Sequence, residues 1–303
     1  MQLEHQRTPC RLAKRAPINP LFLVAMSNAG GEGKTLLALL LAALMCLEEE
    51  AVRVFDADVG NWSIRQQAND AKTIGWGVQV VLADHVADSA IDMHAVLDLG
   101  ANALASATEI TNLVPELRKV FEERGYRTIA FIPVSTNKTG AVGAALKLAE
   151  SQRLTGFTKI FVRVNRDGSA SFDEGLEAQD VIDLGHLQTG FQQYFRGPGD
   201  GLVNATLDPP AGYGEAALHV AEWMREFAEQ DQISALFPRA LDVLRSLAKP
   251  SCKLRMTVPN LYHAKDESLA FSGRQTKILN LLDRHGWTPE GLRMTAQSID
   301  NGQ

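Results

Sequence analysis

The residues with the clearest chemical meaning form one short glycine-rich segment, Gly30-Gly31-Glu32-Gly33-Lys34-Thr35. Glycines let a backbone fold tightly with its N–H groups pointing inward, the arrangement that cradles phosphate oxygens. A lysine at the end of such a turn reaches the β- and γ-phosphates of a nucleotide, and the hydroxyl that follows ligates Mg²⁺. The segment therefore predicts a site that takes ATP and Mg²⁺. Its predicted phosphate-binding residues are Gly30, Gly31, Glu32, Gly33, Lys34, Thr35 and Leu36.

This segment is a variant of the usual phosphate loop. The usual pattern has a further glycine five residues before the glycine that precedes lysine. Here Asn28 stands at that position, followed by Ala29. The alternative to a phosphate-binding loop is a glycine-rich turn whose lysine is incidental. The order of the segments argues against it, because an apolar run precedes the loop and a helical pattern rich in Leu and Ala follows it.

Two acidic sites further along the chain could complete the chemistry. Asp56 and Asp58 close an apolar run at 52–55, and Asp98 closes another at 95–97. One carboxylate near bound Mg²⁺ can hold the ion through water, and another can orient an attacking water. Taken singly, an aspartate at a strand end is more often a turn former. Three of them beside a phosphate loop favour a metal site with hydrolytic chemistry.

The candidate residues all lie at the ends of predicted strands. Apolar runs that end in polar or glycine-rich turns and alternate with helices indicate a parallel sheet covered on both faces. Such sheets bind ligands at the carboxyl ends of their strands. The predicted fold is α/β, a doubly wound, mostly parallel sheet with helices on both faces and a helical C-terminal extension. The predicted strands are Leu21–Met26, Val52–Phe55, Ala95–Leu97, Thr128–Pro133 and Lys159–Val164, and the predicted helices are Thr35–Leu47, Asn112–Arg124, Ala141–Arg153, Glu215–Gln230 and Ala235–Ala248.

Composition and charge divide the chain into three parts. Its 303 residues, 45% hydrophobic and 22% charged, are ordinary for a globular protein. The predicted parts are a basic arm at 1–19, a P-loop domain at 20–248, and a linker with a C-terminal extension at 249–303, which includes a short helix at 276–285. The net charge is −6, yet the first and last parts each carry +3, which leaves −12 on the body. An acidic body argues against a nucleic-acid groove, while the basic ends leave an electrostatic contact with DNA open.

Targeting signals are not evident in the sequence. The longest apolar run, Leu36–Leu47, has 12 residues and is too short to span a bilayer, so no membrane insertion is expected. The chain does not open with a signal-peptide pattern. Its three cysteines, Cys10, Cys46 and Cys252, are far apart and are interpreted as reduced thiols. We therefore expect a cytoplasmic protein.

Together these motifs resemble the ParA/MinD family of deviant-Walker P-loop ATPases, of the SIMIBI class. The resemblance covers about residues 20–230 and includes the segment 162–166. It implies a cytoplasmic ATPase that positions or partitions cargo such as plasmids and that often dimerises around ATP. The resemblance also implies individual roles. Lys34 and Asp58 would be catalytic, with Asp58 orienting the lytic water; the metal site would use Thr35, Asp98 and Asp56; and Asn165 with Arg166 would match the position that contacts the adenine base.

One departure from the family concerns position 29. The family's signature lysine precedes the first glycine of the loop and reaches across the dimer to the partner's phosphates, whereas this chain has Ala29. Dimers closed by ATP should therefore be weak and hydrolysis slow, unless another residue substitutes. The candidate substitutes are Asn28, Arg163 and Arg166. Some plasmid-borne relatives of the StbB type also lack the lysine, and the segment 96–102 resembles theirs.

The sequence leaves three functions open. The first is a positioning ATPase in plasmid or DNA maintenance or transfer; its partners would be ATP or ADP, a second copy of the chain, and DNA or a DNA-binding protein. The second is a small-molecule ligase or kinase on the same scaffold, since fold alone does not separate these activities. The third is a nucleotide-binding adaptor that hydrolyses little. A basic cluster, Arg118, Lys119, Arg124 and Arg127, is interpreted as a solvated helix face.

Overall fold

The computed structural model of the protein describes residues 15–57, 71–74, 83–99, 108–135, 138–169, 175–177, 179–196 and 201–247, without the side chains of 108–112 and 196. Several sequence predictions therefore lie outside the described residues. They concern Asp58, most of the basic arm, and the linker and extension from 249 onward with its helix at 276–285.

One parallel sheet organises the described residues. Its spatial order is β3-β2-β4-β1-β5-β6-β7, and each neighbouring pair is parallel. The prediction of a doubly wound α/β fold is confirmed. The strands are β1 (Leu21–Ala25), β2 (Val52–Asp56), β3 (Lys72–Thr73), β4 (His94–Asp98), β5 (Arg127–Ser135), β6 (Thr158–Val164) and β7 (Val181–Leu184).

Helices pack on both faces of this sheet. The first face carries α1 and α5–α9, and the second carries α2–α4. The helices are α1 (Lys34–Leu47), α2 (Ala83–Asp88), α3 (Thr108–Glu123), α4 (Ala141–Glu150), α5 (Thr189–Arg196), α6 (Leu202–Leu207), α7 (Gly214–Ala228), α8 (Asp231–Ser234) and α9 (Pro238–Leu247). A turn of 3₁₀ helix follows α4 at Gln152–Leu154.

The strand β1 shows why both faces are covered. Its sequence is apolar throughout and all five residues are buried. Successive side chains of a strand point to opposite faces, so Leu23 packs in the first layer and Phe22 in the second. Phe22 stacks on Phe121 of α3 with ring centroids 4.1 Å apart. A central strand of this kind has to lie between two helical layers.

Most of the predicted elements are present, with shifted ends. The helix predicted at Ala141–Arg153 ends at Glu150 and gives way to the 3₁₀ turn. The helix predicted at Ala235–Ala248 begins at Pro238, a residue suited to the first helical position because its missing N–H is not needed there. The sequence reading missed β3, β7, α2, α5, α6 and α8, which are short elements of two to eight residues.

The strand order places the ligand edge of the sheet. The strand β1 lies between β4 and β5, and the chain fills the sheet on one side of β1 before it moves to the other. In doubly wound sheets, the crevice at such a reversal, outside the carboxyl ends of the strands, is where ligands bind. The residues that follow β1, β4 and β5 are therefore the ones to inspect for chemistry.

A buried histidine ties the opposite, amino edge of the sheet together. His94, at the start of β4, is 3% exposed, and its Nδ1 accepts a hydrogen bond from the Leu21 N–H at 3.0 Å. Because a backbone N–H can only donate, Nδ1 must be unprotonated. Nε2 then carries the proton and lies 2.7 Å from Glu50 Oε2. Burial lowers the pKa of His94, although the Glu50 carboxylate opposes this shift.

We expect His94 to make the fold sensitive to mild acid. A histidine whose pKa is lower in the folded chain binds fewer protons there than in the unfolded chain. Its contribution to stability is therefore complete above the ordinary value of about 6.5 and is lost as the pH falls below it. Urea unfolding at pH 7.5 and 5.5 should show a larger loss of stability for the wild type than for His94→Gln. The exposed His186 supplies the control, since His186→Gln should lose as much as the wild type. Equal losses in all three proteins would contradict the assignment.

Candidate functional site

The segment between β1 and α1, residues 26–33, forms a tight loop at the carboxyl edge of the sheet. Gly31 and Gly33 adopt φ angles of 74° and 84°, in the left-handed region that favours glycine. Gly33 is the residue before α1, and its carbonyl accepts the Leu37 N–H at 3.0 Å. The loop therefore delivers the chain directly into the N-terminus of α1, whose dipole favours an anion.

Gly33 has no room for a side chain. A Cβ added there would lie 2.9 Å from Cγ1 of Val164, the last residue of β6. We expect Gly33→Ala to destabilise the protein by more than the ~1–2 kcal/mol that a left-handed φ alone costs an L-residue. Gly125 is the matched control, because its φ is 83° and an added Cβ meets nothing within 4 Å. Urea unfolding of both alanine variants compares the two costs. An equal loss would show that the contact with Val164 is easily relieved.

The side chain of Lys34, the first residue of α1, extends back into the loop. The residue is 6% exposed, and its Nζ donates to Ser27 Oγ at 2.9 Å and to the Ala29 carbonyl at 2.8 Å. The ammonium group is thus held inside the curve of the loop. Ser27, which the sequence reading did not single out, orients it; a hydroxyl directly after a strand end was the available signal.

The predicted metal residues Thr35 and Asp98 are brought together. Thr35 is in the first turn of α1 and Asp98 ends β4, 63 residues further along the chain. The Thr35 hydroxyl donates to Asp98 Oδ2 at 2.8 Å, and Asp98 is 1% exposed. Asp56 ends β2 at the same level, as the register partner of Asp98, and is fully buried. Hydroxyl and carboxylate oxygens are the hard donors that Mg²⁺ prefers.

Three successive carbonyls of the loop each accept a hydrogen bond from a cationic side chain. Lys34 donates to Ala29, Lys138 Nζ donates to Gly30 at 2.6 Å, and Arg166 Nη1 donates to Gly31. Arg166, which is predicted from the sequence as a nucleotide-binding residue, follows the end of β6 and contacts the loop through this bond. Lys138 was missed. It follows the end of β5, and the rule that ligands bind at the carboxyl ends of strands could have found it.

Glu32 is the buried acid of the loop. Its side chain is 4% exposed, and the two carboxylate oxygens have different partners. Oε2 accepts the Ser135 N–H at 2.8 Å, and Oε1 pairs with Lys138 Nζ at 2.8 Å. Glu32 thus joins the loop to the end of β5. Leu36, the last predicted phosphate-binding residue, packs its side chain against the first apolar layer.

The remaining sequence candidates have local partners. The Asn165 Oδ1 accepts the Gly168 N–H at 2.7 Å, so its carbonyl oxygen shapes the turn after β6. Asn28 Nδ2 donates to the Ala144 carbonyl of α4 at 3.2 Å. Arg163 makes two bonds of 2.7 Å to the Asp183 carboxylate, and this pairing raises the pKa of Arg163. Of the three candidate substitutes for the lysine missing at position 29, Arg166 contacts the phosphate loop.

The geometry fits a nucleotide phosphate chain with its metal ion. A tight loop, in which Gly31 and Gly33 have left-handed φ angles, lies beside a helix N-terminus and a buried lysine. Thr35 and Asp98 would hold Mg²⁺ together with the nucleotide's own phosphates, since Mg²⁺ is usually bound by one or two carboxylates plus phosphate. A metal site made of protein side chains alone is not found among the described residues, because no group of three or more His, Cys, Asp or Glu there could hold a metal ion.

Two other surface features do not add a site. Three members of the basic cluster on and after α3 are paired with acids: Arg118 with Glu122, Lys119 with Glu123 at 3.8 Å, and Arg124 with Asp88 at 2.8 Å. A cavity of about 430 Å³ lies beside Tyr126 and Pro20, at the amino edge of the sheet. That edge is opposite to the one where such sheets bind ligands.

Within the described ranges, no helix is long and apolar enough to cross a membrane.

No model of a protein family matches the chain, and a search of curated proteins finds no relative.

Proposed function

We infer that the protein is an ATP-binding and slowly hydrolysing ATPase that acts as a positioning or partitioning factor in plasmid or DNA maintenance or transfer. The observation that carries the first half of this proposal is the contact between Thr35 and Asp98 beside the glycine loop, at the reversal of strand order. The second half rests on the resemblance of the loop and aspartate segments to the ParA/MinD family.

Each residue would contribute one step of the chemistry. The backbone N–H groups of the loop and the Lys34 ammonium would bind and orient the phosphate chain, and the ammonium is already held at the loop by Ser27 Oγ and the Ala29 carbonyl. Thr35 and Asp98 would hold Mg²⁺, which when bound supplies positive charge at the phosphate oxygens. Asp58 is proposed to orient the attacking water. Burial of Lys34 and Asp98 strengthens their electrostatic effect, because the local dielectric is lower than in water.

The test of this function is ATP turnover by the full chain, measured with and without double-stranded DNA. Slow hydrolysis that DNA accelerates, with DNA binding that weakens steeply as salt rises, would support the proposal. Turnover that requires a small metabolite would favour a ligase or kinase on the same scaffold. ATP binding without turnover under either condition would favour the nucleotide-binding adaptor.

A further inference from the structure

We propose that Lys138 is a second phosphate-binding cation of this site, delivered by the segment between β5 and α4. The inference rests on the proposed function, since it takes the glycine loop to be a nucleotide phosphate site. Lys138 Nζ lies 2.6 Å from the Gly30 carbonyl, and Lys34 Nζ lies 2.8 Å from the carbonyl of the preceding residue, Ala29. Two ammonium groups from distant parts of the chain thus converge on adjacent peptides of one loop.

Two ammonium groups bound to adjacent carbonyls repel each other, and an anion nearby stabilises them. Glu32 supplies one: its Oε1 is 2.8 Å from Lys138 Nζ, and its other oxygen is held by the Ser135 N–H. A single carboxylate therefore balances the second ammonium. A triphosphate carries several negative charges and would offer Lys138 a stronger partner than one carboxylate does.

Lys138 also has the freedom to change partners. Its side chain is 38% exposed, whereas the Glu32 side chain is 4% exposed and fixed by the backbone of β5. A lysine has a flexible four-carbon stem and three donors, so it can keep one contact while it gains another. The fixed member of the pair is the acid, and the movable member is the cation that faces the loop.

A purely structural role is the competing explanation. In that case the pair of Lys138 and Glu32 would only fasten the loop to β5, and losing either side chain would have the same effect on ATP. The phosphate role predicts opposite effects. Lys138→Met removes a cation from the phosphates, while Glu32→Gln keeps an acceptor for the Ser135 N–H and removes a competing negative charge.

The experiment is calorimetric titration of ATP·Mg²⁺ into the full chain and five variants, one of which is Lys34→Ala. We expect Lys138→Met to weaken ATP binding about ten-fold, the loss of one charge-assisted contact. Lys138→Arg should retain most of the affinity, and Glu32→Gln should bind ATP more tightly than the wild type, because it removes a negative charge that competes with the phosphates for Lys138. Lys147→Met, a change at an exposed lysine of α4, is the matched control and should have no effect.

The outcomes separate the two proposals. Equal weakening by Lys138→Met and Glu32→Gln would overturn the phosphate role and leave a structural tie. ATP binding that Lys34→Ala weakens but Lys138→Met does not would also overturn it, while the proposed function stands. Absence of ATP binding by the wild type would overturn the proposed function itself, and the role of Lys138 with it.

Discussion

Replacing Lys34 with alanine should weaken ATP binding by roughly ten- to a hundred-fold. The Lys34 ammonium is buried inside the loop, where it bonds to Ser27 Oγ and to the Ala29 carbonyl, so it is already held where a phosphate chain would lie. A charge-assisted contact of this kind is worth about 1.5–3 kcal/mol. That free energy corresponds to roughly the stated change in dissociation constant. Calorimetric titration with ATP·Mg²⁺ measures it directly.

The control for this prediction has to separate lost binding from lost folding. Lys147→Ala removes a lysine that is exposed on α4, and it should bind ATP as the wild type does. Thermal unfolding of Lys34→Ala without nucleotide shows whether the loop still folds. If the fold is lost, Lys34→Met keeps most of the apolar stem and tests the same contact. Unchanged ATP affinity in a folded Lys34 variant would remove the phosphate-loop assignment.

Replacing Asp98 with asparagine should lower ATP turnover by about a hundred-fold or more. Asp98 is buried at the end of β4 and accepts the Thr35 hydroxyl, so its charge is placed to act on a metal ion beside Thr35. Positioning a metal ion against a phosphoryl group supplies several kcal/mol of transition-state stabilisation, and about 2.7 kcal/mol is a factor of a hundred in rate. Asparagine preserves the size of the side chain and an acceptor for Thr35. Steady-state phosphate release with saturating Mg²⁺ measures the effect.

Removal of the metal provides the control for the Asp98 prediction. With excess EDTA, Asp98→Asn should bind ATP at least as tightly as the wild type, because the favourable effect of the Asp98 charge acts through Mg²⁺ and that charge repels metal-free phosphates. Asp88→Asn changes an exposed carboxylate that pairs with Arg124 far from the loop, and its turnover should equal that of the wild type. If Asp98→Asn keeps full turnover in Mg²⁺, the metal role belongs to another residue, with Asp56 the first to test.

The sequence identified the loop and the carboxyl edge of the sheet well, because both depend on local patterns. The glycine-rich segment that ends in Lys34 and Thr35 follows an apolar strand and predicts a tight turn before a helix. The structure has that turn. The parallel sheet was equally predictable, since strands buried on both faces are continuous apolar runs. The contact of Thr35 with Asp98 follows from the expectation that strand ends meet at one edge.

Other features of the site depend on contacts that no local pattern encodes. Lys138 follows the end of β5, which makes it a candidate, but its contact with the Gly30 carbonyl depends on β5 lying beside β1. Glu32 is predicted from the sequence as a phosphate-binding residue of the loop, whereas the structure buries it as the link to β5. The short strands β3 and β7 were missed for a similar reason. Two and four residues are too few to establish a period, and pairing with a longer neighbour stabilises them.

The measurement that tests the central claim most directly is a calorimetric titration of ATP into the full wild-type chain, carried out with Mg²⁺ and again with EDTA. We expect saturable binding of one ATP per chain, tighter with Mg²⁺ than with EDTA, because the loop and Lys34 bind the phosphates while Thr35 and Asp98 hold the metal ion. No saturable binding at millimolar ATP in either condition would contradict the assignment of the loop as a nucleotide site.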